Sequence, residues 1–474
     1  MSESRSVWAD RIGWQKHIQP FMEKPLPAHT DWSATLGSVA SLLFIIQIVT
    51  GIFLALYYTP SPEHAFASIH YIMDQVSLGP VLRGIHHWGA SIMLVLVFIH
   101  MTINFFQGTF KAPRELTWIA GVLLFLLTLG FGFTGYLLPW DQKAYWATTV
   151  GVNLVKEVPF VGELLGRLIL GGEEVSGFTL TRFYTLHMLV LPALMAVLIA
   201  FHIYLVRLHD LAGPPSEHVQ KSSSYRFFPE HLFRSSIVFG VVFAVILALT
   251  FFAHIPLEEE AGTVDPDYVP RPEWYFMGLF ELLTFFPGKL EIIGSFVIPF
   301  VAVLILLALP FLSWTPLRKP ADRPFGLAAG VTALVAVVYL TTMGIAKSQP
   351  YGQEVVLPDR GLTQTELHGL DVYIEKDCAY CHTVLGEGGR REGPDLSNVV
   401  PKDRSKEWLI DFIKDPQSVS AWSIMPKYQL SKAELRSLSE FILTLDFSKY
   451  EPRIITKEKA LEKVNSNTEK EVEQ

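Results

Sequence analysis

The sequence predicts an all-α polytopic membrane protein with a small soluble α-helical domain at its C-terminus. Half of the 474 residues are hydrophobic, and the apolar residues form seven stretches of the length that a helix needs to cross a bilayer, about 20 residues. Residues 347–474 contain no further stretch of this kind and are charged. The formal net charge of −8 argues against a nucleic-acid partner, and two cysteines are too few for a disulfide framework.

The charges in the loops predict how the seven spans run through the lipid bilayer. The predicted spans are residues 33–58, 83–106, 118–138, 184–206, 235–255, 291–313 and 325–346. Lys and Arg precede the first span and follow the second, fourth and sixth, whereas the other loops carry Asp and Glu. The positive-inside rule then places the N-terminus in the cytoplasm and residues 347–474 outside, which for a bacterial inner membrane is the periplasm. Residues 1–32, with interleaved aromatic side chains, are predicted to form an amphipathic cytoplasmic segment.

The second and fourth spans each carry a pair of histidines. His86 and His100 are 14 residues apart, close to four helical turns, so their side chains point to the same side. His187 and His202 are 15 residues apart and stay within roughly 60° of each other. Both spans run in the same direction, so each level holds one imidazole from either side. Such a pair suits a six-coordinate haem iron, and His87, one residue off this face, is predicted to be a neighbour.

The first and third spans carry glycines at the same interval as the first histidine pair. Gly37 and Gly51 are 14 residues apart, and so are Gly121 and Gly135. Glycine in a membrane helix usually allows close helix packing, and at this interval it also leaves room for a flat macrocycle at each level. Arg83, one turn before the first histidine, is placed to pair with a haem propionate; a snorkelling arginine at the membrane surface is the alternative.

The sequence resembles cytochrome b of the cytochrome bc1/b6f family across nearly all of residues 30–346. The resemblance is carried by the histidine and glycine spacings and by the stretches RGIHHWGAS, GYLLPWDQKAYW, FYTLHMLVLP and RPEWYF. It implies a four-helix bundle with two noncovalent haem b groups, bL held by His86 and His187 and bH by His100 and His202. The three remaining spans resemble subunit IV, here fused to the bundle.

The same resemblance implies an outer quinol site. The stretch 139–146 lines this site in the family, and the loop between the fifth and sixth spans carries the Pro-Glu-Trp-Tyr sequence. A quinol loses protons as it loses electrons, and a carboxylate that accepts a proton suits that need. The implied residues are Glu273 as proton acceptor, Tyr275 and Tyr136 as wall residues, and Pro272 and Trp274 as the residues that shape the pocket.

The inner quinone site is less clear from the sequence. Arg207 matches a basic residue of the b6 branch at this site, and Lys24 and Asp210 are weaker candidates. Thr35 stands where the b6 branch carries a cysteine that tethers an extra haem. A covalent third haem in the membrane is therefore not expected, whereas a noncovalent one stays open.

The C-terminal segment contains Cys378-Ala379-Tyr380-Cys381-His382, a motif for c-type haem attachment. Cys378 and Cys381 would form the thioethers, and His382 would be the proximal ligand. Met425 lies 43 residues further on in the order seen in class I-like cytochromes c, and it is the predicted distal ligand. Zinc binding would need two more nearby ligands, and a thioredoxin-like site would not explain His382.

These observations predict the cytochrome b subunit of a quinol:cytochrome c oxidoreductase with a fused cytochrome c. Its expected partners are quinol and quinone, a Rieske iron–sulfur protein, a second copy of the chain, and a soluble or membrane cytochrome c or terminal oxidase. The alternative is a non-bifurcating dihaem conduit, which explains the histidines but not the quinol loop, the glycine pairs or the last three spans. The predicted segments are 1–32, the cytoplasmic segment; 33–210, the dihaem bundle; 211–346, the subunit IV-like part; 347–449, the cytochrome c domain; and 450–474, a charged tail.

Overall fold

The computed structural model forms two compact units along the chain. One comprises Met1–Thr263 with Pro270–Thr341, and the other Val264–Val269 with Thr342–Gln474. The structure describes residues 11, 19–27, 30–212, 225–261, 271–286, 290–312, 317–346, 354–376, 378–388, 393–402, 404–420, 423, 425, 427–457 and 459–460. Most of the predicted segment 1–32 lies outside these residues; the short helix Gln19–Met22 is its described helical turn.

Seven helices in the described part of the chain are long and apolar enough to cross a membrane, which confirms the predicted number of spans. They are Trp32–Ala55, Gly79–Gln107, Glu115–Tyr136, Gly177–His209, Phe227–Phe252, Ile293–Leu312 and Pro324–Ala346. The fourth begins at a capping box formed by Ser176 and Thr179. The second ends at Gly108, which adopts a left-handed conformation that glycine tolerates well. The fourth helix therefore begins before the predicted apolar stretch, and the second ends just after it.

The first, second, fourth and fifth spans share one apolar core. Val39 and Leu43 of the first span pack in it with Met93 of the second, Met195 of the fourth and Ile246 of the fifth, and all five are buried. The third span packs against the fourth. The four histidine- and glycine-bearing spans are thus held side by side, with the fifth against the second.

The long connection between the third and fourth spans is itself helical. It contains Gln142–Lys156 and Gly162–Leu170, and a further short helix, Ala65–Asp74, follows the first span. The start of this connection is tied to the acidic loop after the fifth span. The Gln142 amide donates to the Glu259 carbonyl at 2.8 Å, and the Ala261 amide donates to the Trp140 carbonyl at 3.0 Å.

The last part of the membrane unit begins with the turn Trp274–Phe276 and the short helix Met277–Leu283. The sixth span contacts the third, where the Trp118 indole donates to the Leu306 carbonyl at 2.7 Å. Irregular helical turns over residues 186–190, 227–231 and 293–297 lie within the fourth, fifth and sixth spans.

In its described residues, the second unit is a small helical domain with two short antiparallel sheets. Its helices are Gln364–Glu375, Cys378–Cys381, Lys406–Lys414, Pro416–Val419 and Lys432–Thr444. Strand β1 (Glu354–Pro358) pairs with β4 (Pro452–Thr456), and β2 (Thr383–Val384) pairs with β3 (Glu387–Gly388). The helices Gln364–Glu375 and Lys432–Thr444 pack on each other through Tyr373 and Phe441, whose ring centroids are 5.2 Å apart.

The strands correct the predicted boundary between the cytochrome c domain and the charged tail, which was set at residue 450. Pro452–Thr456 is a paired strand, and Ile455 and Ala460 are buried in the core of the domain. The segment is rich in Lys and Glu overall, but it contains a short apolar run. This run could not be predicted as a strand because its partner, β1, lies almost a hundred residues earlier. Residues 461–474 lie outside the described part.

Candidate functional site

His86 and His187 lie opposite each other at one end of the bundle. Their ring centroids are 6.3 Å apart, with the ring planes inclined by 67°. A metal–imidazole bond is about 2 Å long and a ring nitrogen lies ~1 Å from its centroid, so two imidazoles on one metal need centroids about 6 Å apart. The separation therefore fits a bis-imidazole haem site.

Two threonines of the first and third spans hold these rings. Thr50 Oγ1 lies 2.9 Å from His86 Nδ1, and Thr134 Oγ1 lies 3.1 Å from His187 Nδ1. Each hydroxyl donates its own hydrogen to a backbone carbonyl one turn earlier in its helix, so its oxygen can accept from Nδ1–H. A proton on Nδ1 leaves the lone pair on Nε2, the atom that would bind iron.

His100 and His202 lie at the opposite end of the bundle, close enough to interact electrostatically. The Asn104 side-chain amide lies 3.4 Å from His100 Nδ1 and donates to the His100 carbonyl at 2.7 Å. The two ends are called here the His86 end and the His100 end.

Each of the four repeated glycines faces one of the four histidine rings. A Cβ at Gly135 would lie 2.6 Å from the His187 ring. The corresponding distances are 3.2 Å for Gly51 and His86, and 3.4 Å for Gly37 and His100 and for Gly121 and His202. The glycines thus let the first and third spans approach the imidazoles themselves, which gives their shared interval a direct structural reason.

Glu273 lies at the His86 end in an ion pair with Lys143. Lys143 Nζ is 2.7 Å from Glu273 Oε1, and the side chains are only 20% and 16% exposed. Lys143 belongs to the connection between the third and fourth spans, and Glu273 to the loop before the sixth. The structure therefore brings together the two stretches that the resemblance implied for the quinol site.

Two of the aromatic residues predicted for this site, Tyr136 and Tyr275, are close enough to Glu273 to interact with it electrostatically. The Tyr275 ring covers Gly132, where an added Cβ would come within 2.8 Å of it, and the Trp274 indole donates to Ser91 Oγ at 3.5 Å. Burial raises the pKa of Tyr275 well above its usual value, and the Glu273 and Tyr136 side chains raise it further. Tyr275 stays protonated, so it can donate a hydrogen bond but does not act as a base near neutral pH. Pro272 is half-buried at the start of this turn.

Arg83, predicted to pair with a haem propionate, is held here by the loop after the fifth span. It is buried, and Nη2 donates to the Pro256 carbonyl at 2.7 Å. Asp141 lies near it, and its carboxylate accepts from the Ala144 and Glu258 amides at 2.8 and 3.1 Å. Arg83 thus ties the loop after the fifth span to the second span, and pairing with a propionate stays a prediction.

The three residues suggested for the inner site meet at the His100 end. Lys24 Nζ lies 2.6 Å from Asp210 Oδ1 and donates to the Arg207 carbonyl, also at 2.6 Å. The Arg207 guanidinium stacks over the Phe227 ring at 4.4 Å. Lys24 and Asp210 are 29% and 61% exposed, so this group is much more open to solvent than Glu273.

The C-terminal motif has the local geometry of a haem ligand site. His382 Nδ1 lies 2.8 Å from the Pro394 carbonyl, which leaves Nε2 for a metal. Burial lowers the pKa of His382, and the neutral ring is the form that binds iron. Cys378 and Met425 both pack against the core of the same domain, and Cys381 is half-buried.

The residues that contact the predicted site side chains were not predicted from the sequence. They are Lys143 beside Glu273, Thr50 beside His86, Thr134 beside His187 and Asp141 near Arg83. Lys143 could have been noticed as the cation within the aromatic stretch 139–146, which also contains Asp141. A weaker pattern in the sequence marks the two threonines: each lies one residue before a glycine of the 14-residue pattern. Asp141 gave no signal, since its role depends on a loop more than a hundred residues away.

Three family models match the chain. They are cytochrome b/b6/petB over residues 21–210, cytochrome b(C-terminal)/b6/petD over residues 263–357, and cytochrome c over residues 368–446.

Several named relatives cover most or part of the same region. Cytochrome b of Rickettsia prowazekii is 32% identical over 352 residues, which is 73% of this chain and 87% of the relative. Cytochrome b6 of Heliobacterium modesticaldum is 44% identical over 40% of this chain and 91% of its own length. A cytochrome bc complex cytochrome b subunit of Chlorobaculum thiosulfatiphilum is 38% identical over 57% of this chain and 64% of its own length.

Among solved structures, a chain of a hyperthermophilic respiratory Complex III matches with a TM-score of 0.65 and 29% identity. The match covers 72% of this chain and 91% of that chain. Cytochrome b and cytochrome c domains imply haem b and haem c and a role in electron transport. From the paired histidines, the seven spans and these matches together, the chain belongs to the cytochrome b family as the cytochrome b subunit of a bc-type complex, and it carries its own cytochrome c domain.

Proposed function

We propose that this subunit oxidises quinol at the His86 end, within a quinol:cytochrome c oxidoreductase, and that quinone binds at the His100 end. The observation that carries the proposal is the enclosed Glu273 carboxylate beside the His86–His187 pair. A proton acceptor and a pair of iron ligands at one end of the bundle are what coupled loss of protons and electrons requires.

Three haem groups are proposed, and when bound they supply one-electron redox chemistry. His86 and His187 would hold one noncovalent haem b, and His100 and His202 the other. In the C-terminal domain, Cys378 and Cys381 would attach haem c through thioethers, with His382 and Met425 as the axial ligands.

Glu273 would accept a proton from the quinol hydroxyl. The aromatic side chains of Trp274, Tyr275 and Tyr136, with Pro272, would exclude water and position the quinol ring. At the His100 end, Arg207 would bind a quinone oxygen, with Lys24 and Asp210 supporting the backbone beside it.

We place the His86 end and the cytochrome c domain on the periplasmic side of a bacterial inner membrane, following the loop charges. A Rieske iron–sulfur protein would take one electron per quinol, and the cytochrome c domain would accept it for transfer to a soluble or membrane cytochrome c or a terminal oxidase. A second copy of the chain is expected in the complex.

The test uses the purified complex with its iron–sulfur partner. We expect a pyridine haemochrome spectrum with two b haems for each c haem, and reduction of both b and c haems by quinol. Glu273→Gln should slow this reduction while leaving the b spectrum unchanged. Reduction of the b haems alone, with the c haem oxidised although the Rieske protein is present, would instead indicate a non-bifurcating conduit.

A further inference from the structure

Lys143 occupies a position that its own helix does not favour. It lies in the first turn of Gln142–Lys156, where the backbone amides and the helix dipole make a positive charge unfavourable. Asp141 caps this helix through the Ala144 amide at 2.8 Å, a role that an ammonium group cannot fill because it has no acceptor. Its ammonium group instead meets Glu273 Oε1 at 2.7 Å in a largely enclosed site.

We propose that Lys143 is a positioning residue that holds Glu273 as an ionised base facing the quinol. This inference rests on the proposed quinol oxidation at the His86 end. The ion pair occupies Oε1, and a carboxylate has a second oxygen that can accept. The quinol O–H bond would break as a new O–H bond forms at Oε2, while Lys143 keeps its proton. One of the two quinol electrons would leave to the iron–sulfur partner already proposed, and the other to the haem b that His86 and His187 would hold.

The same contact would release Glu273 once it has taken the proton. Ion-pair attraction requires the carboxylate charge, and protonation leaves only a hydrogen bond between a charged donor and a neutral acid. The neutral side chain is then free to rotate away from Lys143. The ion pair thus acts as a latch that is closed before proton transfer and open after it.

Other polar groups also face Glu273. The Tyr136 and Tyr275 hydroxyls and the His87 ring interact with it electrostatically, and His87 also faces Arg83 and Lys143. Both tyrosines are half-buried and neutral near pH 7, so neither supplies the charge that Lys143 supplies. Among the described residues that face the carboxylate, Lys143 makes the direct ion pair.

The consequence is a shift in the pH dependence of quinol oxidation. An opposite charge within about 4–6 Å favours the ionised form of a carboxylate. Lys143→Met should therefore move the acidic limb of the pH–rate profile to higher pH. On that limb, the rate of quinol oxidation at a fixed pH should be lower in this variant than in the wild type.

The experiment compares pH–rate profiles of the whole complex, with b-haem spectra as a check on assembly. Lys143→Arg, which keeps the charge, should restore the position of the acidic limb. Lys156→Met removes a lysine from the last turn of the same helix, where it donates to the Glu173 carbonyl, and should leave the limb in place. Lys143→Gln serves as a second neutral variant and should behave as Lys143→Met does.

A double variant separates this inference from the proposed function. With Glu273→Gln already present, Lys143→Met should cause no further shift, since its partner is gone. An acidic limb that stays in place in both neutral variants would overturn the role of Lys143, even if Glu273→Gln is slow. A Glu273→Gln variant with the wild-type rate would instead overturn the quinol site itself.

Discussion

The two ends of the membrane bundle contain the same kind of ion pair in different surroundings. At the His86 end, Lys143 and Glu273 are 20% and 16% exposed. At the His100 end, Lys24 and Asp210 are at a similar distance but are 29% and 61% exposed. Exclusion of water strengthens electrostatic interactions, whereas exposed pairs contribute little. Enclosure, rather than the presence of a lysine partner, therefore distinguishes the proposed proton acceptor.

The helices are also packed more tightly at the His86 end. A Cβ at Gly135 would come within 2.6 Å of His187, whereas one at Gly121 would stay 3.4 Å from His202. An ordinary van der Waals contact begins at about the second distance, so the two positions differ in their tolerance of a methyl group. Both contrasts lead to experiments that compare matched positions at the two ends.

The largest effect is expected from replacing the ring ligands. His187→Leu and His202→Leu should each remove one b haem, because each leaves one imidazole where two are needed. The pyridine haemochrome spectrum should then show one b haem for each c haem in both variants, instead of two. His87→Leu is the control and should keep both b haems. Full b content in either ligand variant would contradict the assignment at that end.

The second-largest effect is the difference in rate between variants of Glu273 and variants of Asp210. Glu273→Gln should slow steady-state quinol oxidation by about 10²–10⁴-fold, the usual contribution of a positioned general base. Asp210→Asn should slow it by less than about fivefold, because an exposed ion pair contributes at most about 1 kcal/mol. Both rates are measured on complexes with unchanged b spectra. Similar losses in the two variants would show that enclosure does not set the difference.

The smallest effect concerns the glycines. Gly135→Ala should destabilise the bundle by about 1–3 kcal/mol, the usual cost of overpacking, and Gly121→Ala by less. Thermal loss of the b-haem absorbance measures this difference, and the His86-end haem should be lost first in Gly135→Ala. Gly172→Ala is the control, since nothing lies within 4 Å of a Cβ there. Equal stability of the two test variants would contradict the tighter packing at the His86 end.

The parts of the fold that were predictable are those encoded over short distances. Seven spans follow from apolar length, and the matched levels of His86, His100, His187 and His202 follow from helical periodicity. The c-type motif at Cys378 is contiguous. Family resemblance supplied Glu273 as a candidate, but it gave neither its partner nor its exposure.

The sequence alone determined which helices cross the membrane, which faces carry imidazoles and where a cytochrome c motif lies, because local spacing fixes all three. Tertiary structure decided the Lys143–Glu273 and Lys24–Asp210 pairs, separated by 130 and more than 180 residues, and the pairing of β1 with β4. Such contacts depend on how loops fold back over packed helices. Their strength depends on how much water that packing excludes, which no local pattern of residues records.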